Sequence, residues 1–278
     1  MSRTIRRSWL ALLALVLVAA ACSSSAETET ATATDDAVSE ADVSVEADVV
    51  EEDVPTVIPD TAPAIEVGAV SSGSVDIDGV TIEYIASTPG GFEVGDEAPL
   101  LLAFPPGGQD YNVTRSLVQN TYSPEAQRLG WVVVSPVAPD GQLFFNGSET
   151  LVPGFLDWVE TWVAPEGGAP HVAGVSNGGI STFRYGALNP DRAQSLIAFP
   201  GFPRSDEDEA ALADLTGVPV RIFVGGDDTG WIPPAESAVE TLNELGGDAE
   251  LTVFAGEGHV MASTRDGTLI FEQLESFR

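Results

Sequence analysis

Residues 174–179, Gly-Val-Ser-Asn-Gly-Gly, constrain the fold of this chain more than any other segment. A short apolar run, 171–173, precedes them, and residues 180–185, which can start a helix, follow. A strand, a tight turn with a serine at its tip and a helix form the context in which a G-x-S-x-G pattern lifts the serine hydroxyl clear of a sheet. The glycines leave room for a strained turn, and the helix N-terminus favours negative charge beside the hydroxyl. A chain with 28 glycines also produces this pattern by chance, so residues further along must decide its meaning.

A serine hydroxyl needs a general base before it can act as a nucleophile, and the chain has two histidines. His171 opens the strand that leads into the turn and lies about five residues from Ser176, at ~3.3 Å per residue. We therefore expect His171 to be a surface or strand-end residue. His259 lies in a glycine-flanked loop after an apolar strand at 251–254, which is a suitable place for a base.

A carboxylate that holds the imidazole should follow another strand. Residues 220–224 read as a buried strand that ends in Gly-Gly-Asp-Asp. Asp228 is the preferred acid, with Asp227 as the alternative. The order Ser176, Asp228, His259 is the chain order of the α/β-hydrolase triad.

Backbone N–H groups that stabilise an oxyanion should come from Asn177 and from the loop after the third predicted strand. Residues 98–104 form that strand and 105–110 form the loop. Prolines 105 and 106 cannot donate, so Gly107 or Gly108 is the expected second donor.

With these segments in place, the chain resembles the α/β-hydrolase superfamily over roughly residues 66 to 278. Within it, the chain resembles secreted bacterial esterases that include polyhydroxybutyrate-depolymerase-like and feruloyl-esterase-like proteins. The resemblance implies that Ser176 is the nucleophile, His259 the base and Asp228 the acid, with no metal or cofactor. The chain departs from many relatives at Pro105-Pro106, where a His-Gly pair is common.

The N-terminal residues predict export. Residues 1–22 combine three arginines, an apolar run at 9–18 that is too short to span a bilayer, and small residues before Cys22. This pattern resembles a lipobox, with Cys22 lipidated and the protein anchored at the cell surface; the alternative is an ordinary cleavage site and release. Cys22 is the only cysteine, so the chain has no intrachain disulfide. Residues 23–65 are acidic and rich in Ser, Ala and Thr, which predicts a disordered spacer before a hydrolase domain at 66–278.

Alternating strand and helix patterns in the domain predict an α/β fold with a mostly parallel, doubly wound sheet and helices on both faces. An antiparallel start is expected at 75–87, strands at 131–137 and 196–199, and a helix at 153–162. The segment 200–218 is too short for a large cap domain, so an open cleft is expected.

The formal net charge is −32, and all 11 basic residues are arginine. Such acidity argues against nucleic-acid binding and against anionic substrates generally. The acidic run 206–209 is interpreted as a solvated helix start rather than a calcium site.

The predicted function is hydrolysis of small or polymeric carboxylic esters by two-step acyl transfer, in a protein expected to be monomeric. Phe144, Phe145 and Trp231 are the candidate substrate-binding residues at the rim. Two alternatives stay open: a peptidase or acyltransferase with the same triad, and a surface lipoprotein that binds without turnover.

Overall fold

The computed structural model describes residues 61–278, so the predicted signal segment 1–22, Cys22 and most of the spacer lie outside the described residues. Residues 61–65, the end of the predicted spacer, lie against the domain. The indole N–H of Trp158 donates to the carbonyl of Thr61 at 2.8 Å, and the N–H of Ala64 donates to the hydroxyl of Tyr84 at 2.8 Å. Contacts with the domain therefore begin before residue 66.

The fold is built on a central sheet whose strands run in the order β1-β2-β5-β4-β7-β8-β9-β10. β1 and β2 pair antiparallel and β2 pairs antiparallel with β5, whereas every pairing from β5 to β10 is parallel. The short strands β3 and β6 pair with each other in a separate sheet. The strands are β1 Val70–Ile77, β2 Val80–Ser87, β3 Glu97–Ala98, β4 Leu100–Phe104, β5 Val132–Pro136, β6 Ala164–Pro165, β7 His171–Gly174, β8 Ser195–Ala198, β9 Val220–Gly225 and β10 Ala249–Phe254.

Helices cover both faces of this sheet. A π-helical turn, Val118–Tyr122, joins α1 to α2. The helices are α1 Tyr111–Leu117, α2 Ser123–Leu129, α3 Val152–Glu160, α4 Asn177–Leu188, α5 Asp206–Ala210, α6 Ile232–Glu244 and α7 Thr268–Glu275. Within residues 61–278, none of these helices combines the length and apolar character that a membrane crossing requires.

The central strand β4 shows why the sheet is buried on both sides. All five of its residues are buried, as expected for a parallel strand between two helical layers. Because side chains alternate along a strand, Leu100, Leu102 and Phe104 pack in one core cluster with residues of α3, α4 and α6. Leu101 and Ala103 pack in the other cluster with residues of α2 and α7.

The order of the strands places a crevice at the carboxyl ends of β4 and β7. From β4 the chain crosses to β5 on one side, and β7 then pairs on the other side of β4. Such a change of direction opens a crevice beyond the carboxyl ends of the two strands, where open α/β sheets bind ligands. The loop 105–110 leaves β4 here, and the Ser176 turn leaves β7.

The predicted fold class is correct, and the differences from it are local. The predicted strand 98–104 is divided at Pro99 into β3 and β4, and the antiparallel start begins earlier, at Val70. The segment between β8 and β9 contains only α5 and a 3-10 helix, Ala211–Leu215, in place of a cap domain.

The acidic run 206–209 does start a helix, with Ser205 as its N-cap, but it is not fully solvated. Asp208 is 4% exposed and accepts a hydrogen bond from Nη1 of Arg184 at 2.9 Å. The interpretation of the run as uniformly solvent-facing is therefore wrong at this residue, because a buried carboxylate is tolerated when a guanidinium pairs with it.

Candidate active site

Ser176 stands on a strained turn between β7 and α4. Its backbone has φ 57° and ψ −116°, outside the regions that a residue with a Cβ prefers. The glycines on either side allow the close approach of the backbone. A Cβ on Gly174 would lie 2.0 Å from the carbonyl oxygen of Gly178, and one on Gly178 would lie 2.1 Å from that of Phe104. The G-x-S-x-G pattern is therefore a steric requirement of this turn.

The hydroxyl of Ser176 is the first member of a hydrogen-bonded chain of three side chains. Its Oγ lies 2.7 Å from Nε2 of His259, and Nδ1 of His259 lies 2.7 Å from Oδ2 of Asp228. The His259 side chain is 37% exposed and that of Asp228 is 12% exposed, so the carboxylate lies behind the imidazole. The structure thus brings together the serine, histidine and aspartate that the sequence suggested, and it is Asp228 rather than Asp227 that contacts the ring.

The three residues meet because β7, β9 and β10 are parallel strands of one sheet. Ser176, Asp228 and His259 each follow the carboxyl end of one of these strands, and these ends lie at the same edge of the sheet. The loop of His259 is fixed further by Glu257, whose carboxylate accepts hydrogen bonds from the backbone N–H and the hydroxyl of Ser263. These bonds hold the pKa of Glu257 below its ordinary value.

The loop after β4 lies directly beside the serine turn. The side-chain Nδ2 of Asn177 donates to the carbonyl of Gly107 at 2.9 Å, so Asn177 and Gly107 are neighbours. The backbone N–H of Asn177 lies in the first turn of α4, where N–H groups have no acceptor within the helix. Gly107 therefore lies beside Asn177 and lines the same cavity as Ser176. The oxyanion role of Asn177, Gly107 and Gly108 stays a prediction.

Gln109 is a residue of this loop whose importance the sequence reasoning missed. It is fully buried with φ 54°, and its Nε2 donates to the carbonyl of Pro105 at 3.1 Å and to Oγ of Ser181 at 2.9 Å. Its Oε1 accepts from the N–H of Phe144 at 2.9 Å. One amide side chain thus joins the loop to α4 and to the segment that carries Phe144. A polar residue after two glycines gives no local signal of such burial.

An apolar cavity of about 410 Å³ opens beside Ser176 and His259. The π-helical turn contributes Thr121 to its wall, and the preceding helix α1 contributes Leu117. Met261, Arg265 and Ile270, which follow His259 in the chain, also line it. Its size and lining are those of a small-molecule site.

The three predicted rim aromatics have different positions. Phe144 is 1% exposed and packs on Phe104 with ring centroids 5.5 Å apart, so it belongs to the core and its assignment to the rim is corrected. Phe145 is partly exposed, and Cζ of Arg204 lies over its ring, 5.2 Å from the ring centroid. Trp231 is partly exposed and packs against the imidazole of His259, with ring centroids 4.8 Å apart. Phe144 and Phe145 are the two central residues of a turn closed by the bond from the Asn146 N–H to the Leu143 carbonyl at 2.8 Å, and only Phe145 reaches the surface.

His171 is the first residue of β7, as expected, but it is buried rather than at the surface. Its Nδ1 lies 2.8 Å from Oγ of Ser195, and its ring packs between those of Trp131 and Phe277. Burial, with a smaller contribution from the charge of Arg278, lowers the pKa of His171 to about 4. His171 is not part of the hydrogen-bonded chain of Ser176.

Comparisons with known proteins identify the architecture. No protein-family model matches the chain, and no curated protein matches it in sequence. Among solved structures, a thermostable esterase is similar with a TM-score of 0.58 at 16% identity, over 75% of this chain and 62% of that one. A fungal esterase from Rhizomucor miehei gives 0.58 at 15% identity, over 76% and 84%. The S-formylglutathione hydrolase from Agrobacterium tumefaciens gives 0.56 at 14% identity, over 75% and 94%.

The chain has the α/β-hydrolase fold. In this α/β-hydrolase fold, the serine turn after β7 and the loop after β4 lie at the crevice of the sheet. The narrower resemblance to depolymerase-like and feruloyl-esterase-like proteins stays a prediction, because identities of this order establish the fold only.

Proposed function

We propose that this chain is a serine hydrolase that cleaves carboxylic esters through an acyl-enzyme. The observation that carries the proposal is the hydrogen-bonded chain from Ser176 Oγ through His259 to Asp228, with both bonds at 2.7 Å. A nucleophile within reach of a base, and a base oriented by a third group, is the arrangement that activates a hydroxyl. The cavity beside it gives a substrate a place to bind.

The reaction begins when Nε2 of His259 accepts the Ser176 proton as Oγ attacks the ester carbonyl. Asp228 accepts from Nδ1–H, which fixes the tautomer and stabilises the imidazolium. The oxyanion binds to the N–H of Asn177 and to that of Gly107 or Gly108. The C–O bond to the alcohol then breaks, and the alcohol leaves with the proton from His259.

The second half of the reaction returns the enzyme to its starting state. His259 accepts a proton from water as the water oxygen attacks the acyl carbonyl. The bond to Ser176 Oγ breaks, Oγ regains its proton from His259, and the carboxylic acid leaves. Each step uses residues of this chain only.

An ester rather than an amide is the favoured substrate class. The solved structures to which this chain is similar include a thermostable esterase and a fungal esterase. The segment between β8 and β9 carries no cap domain, and Trp231 is partly exposed beside His259; both observations support an open site. An open site of this kind accommodates substrates with a bulky or polymeric alcohol or acid part.

Labelling with a fluorophosphonate probe tests the catalytic assignment. Wild type should be labelled stoichiometrically, whereas Ser176→Ala should not be labelled. Ser237→Ala, an exposed serine on α6, is the matched control and should be labelled like wild type. An unlabelled wild type, or equal labelling of Ser176→Ala, would leave a binding protein without turnover as the better description.

A panel of p-nitrophenyl esters and matched peptide p-nitroanilides separates ester from amide hydrolysis. We expect kcat/KM to be higher for the esters. Faster cleavage of the anilides would favour a peptidase, and transfer of the acyl group to an added alcohol in preference to water would favour an acyltransferase.

We also propose that the protein is exported and anchored through a lipid on Cys22. The arginines before the apolar run 9–18 and the small residues before Cys22 support this proposal. Wild type expressed in a bacterium should partition into the membrane fraction and incorporate a clickable fatty acid. Cys22→Ser should lose the label; a soluble, unlabelled wild type would favour cleavage and release.

A further inference from the structure

Most arginines of the described chain are paired with carboxylates, and Arg265 is not. Five of the eight arginines in residues 61–278 lie within 4.0 Å of a carboxylate oxygen. The paired arginines are Arg128, Arg184, Arg192, Arg221 and Arg278. In the same part of the chain, Arg115, Arg204 and Arg265 have no carboxylate within that distance. Arg265 is thus one of three described arginines without a carboxylate partner, in a protein with a formal net charge of −32.

Arg265 is also the residue that gives the cavity beside Ser176 its charge. Among the described residues that line this cavity, it carries the only formal charge when the histidine is neutral. The rest of the wall is largely apolar and includes Leu117, Met261 and Ile270. A ligand group that extends from Ser176 into the cavity therefore meets an apolar wall and one cation.

The acids on the same segment, Glu257 and Asp266, do not pair with this cation. Asp266, next to Arg265 in the chain, accepts a hydrogen bond from the backbone N–H of Thr268 at 3.1 Å and has no arginine within 4.0 Å in the described part of the chain. The carboxylate of Glu257 accepts the hydrogen bonds of Ser263, and it lies more than 4.0 Å from the Arg265 guanidinium. The two charges still interact, because Arg265 adds to the effect of the Ser263 hydrogen bonds on the pKa of Glu257. The guanidinium donors remain available to a ligand.

We propose that Arg265 is a specificity-determining residue that selects esters bearing a carboxylate on the group that enters this cavity. The inference rests on the proposed esterase function and names its substrate class. A planar guanidinium binds a carboxylate through two parallel hydrogen bonds, and Arg265 is exposed, so its donors are accessible to a ligand in the cavity that it lines. The overall negative charge repels anions at long range, so a local cation is needed for such a substrate to bind. This departs from the expectation that the acidity of the chain disfavours anionic substrates generally.

The experiment compares charged and neutral substrates of the same shape. For the acyl side, the pair is the p-nitrophenyl monoester of adipic acid and its methyl-capped diester. For the alcohol side, the pair is 4-carboxyphenyl acetate and its methyl ester. The readout is the ratio of kcat/KM for the charged substrate to that for the neutral one.

Wild type, Arg265→Gln and Arg204→Gln are measured with both pairs. Arg204→Gln is the matched control because it removes the same charge from an exposed arginine that does not line this cavity. We expect Arg265→Gln to lower the ratio about two- to fivefold in one pair, the order of one charged contact near the surface. The neutral substrates should be affected little, and Arg204→Gln should leave the ratio unchanged.

Two results would overturn the proposal. If Arg265→Gln left the ratio of kcat/KM values unchanged in both pairs, the guanidinium would not distinguish charged from neutral substrates. If Arg204→Gln lowered the same ratio as much as Arg265→Gln, the effect would come from the overall charge of the protein and not from the cavity. Both results differ from a failure of the esterase function, in which wild type would hydrolyse neither neutral ester.

Discussion

The backbone N–H of Asp227 donates to the carbonyl oxygen of Glu257 at 2.9 Å, and this bond joins the loop of Asp228 to the loop of His259. The loops leave β9 and β10, which are adjacent parallel strands with Gly225 opposite Phe254. The distance between the proposed acid and base is therefore set by contacts of the backbone as well as by their own hydrogen bond.

Gly225→Ala should separate these loops. A Cβ at this position would lie 2.2 Å from the carbonyl oxygen of Gly258 and 2.4 Å from that of Glu257, so the loop of His259 must move. A displacement of about 1 Å in a catalytic group can cost about 100-fold in rate, and we expect a fall in kcat of that order. Steady-state ester hydrolysis measures the fall in kcat, and thermal unfolding shows whether the variant is still folded.

Gly230→Ala is the control for this substitution, because a Cβ there meets no atom within 4 Å in the described chain. It lies on the same loop and should keep wild-type kcat. If Gly225→Ala were as active as Gly230→Ala, backbone contact between the loops would not position the base.

Asp228→Asn should replace the carboxylate that accepts the His259 Nδ1–H bond with a neutral amide of the same size, whose NH2 group can instead donate to Nδ1. The imidazole then loses the group that fixes its tautomer, and kcat should fall by about 10³- to 10⁴-fold with little change in KM. Asp227→Asn should stay close to wild type, because the ring contacts Asp228. Steady-state kinetics of the two variants decide between the two aspartates, and a larger loss in Asp227→Asn would contradict the geometry.

The sequence was sufficient for the fold class and for the expectation that Ser176, Asp228 and His259 lie together, because both depend on local patterns. Apolar runs such as 220–224 become buried strands, and parallel strands deliver the residues at their carboxyl ends to one edge. Ser176 could be recognised because its turn requires glycines at fixed positions. His259 was the remaining histidine in a suitable loop.

The features that the sequence did not reveal depend on contacts between distant segments. Nothing local distinguishes Phe144, which packs on Phe104, from Phe145 at the surface. Asp208 is buried because Arg184 lies beside it, 24 positions away in the chain. Arg265 lines the cavity together with Leu117, which is distant from it in the chain, so no local signal marks it.

Gln109→Glu should weaken the loop that carries Gly107 and Gly108. The amide Nε2 donates to two acceptors, the carbonyl of Pro105 and Oγ of Ser181, and a carboxylate oxygen cannot donate to either. The two buried acceptors would then face a carboxylate, which should lower the free energy of unfolding by about 3 kcal/mol, or Tm by roughly 10 °C. The value of kcat should also fall, because the loop that carries the proposed oxyanion donors is held less firmly. Differential scanning fluorimetry and ester hydrolysis report the two effects.

Gln127→Glu on α2 serves as the comparison, since its amide donates to Ser123 and does not contact this loop. It should leave kcat unchanged. A Gln109→Glu protein with wild-type Tm and kcat would show that the amide network does not hold the loop.

His171 should make the stability of the domain depend on pH below neutrality. Its pKa is about 4 in the folded protein because the ring is buried beside Ser195, against an ordinary value of 6.5 in the unfolded chain. The unfolded chain therefore binds a proton that the folded protein rejects. The stabilisation is fully present above about pH 6.5 and is lost as the pH falls towards 4, by about 3 kcal/mol in total.

Urea unfolding of wild type and His171→Gln at about pH 7, 5.5 and 4 measures this effect, because titrations common to both proteins cancel in the difference. His171→Gln should be less stable than wild type at pH 7, since it loses the packing of the ring between Trp131 and Phe277. The difference between the two free energies of unfolding should narrow as the pH falls, because only wild type contains a buried imidazole that resists protonation in the folded state. Parallel curves over this range would show that the His171 ring accepts a proton in the folded protein as readily as in the unfolded one.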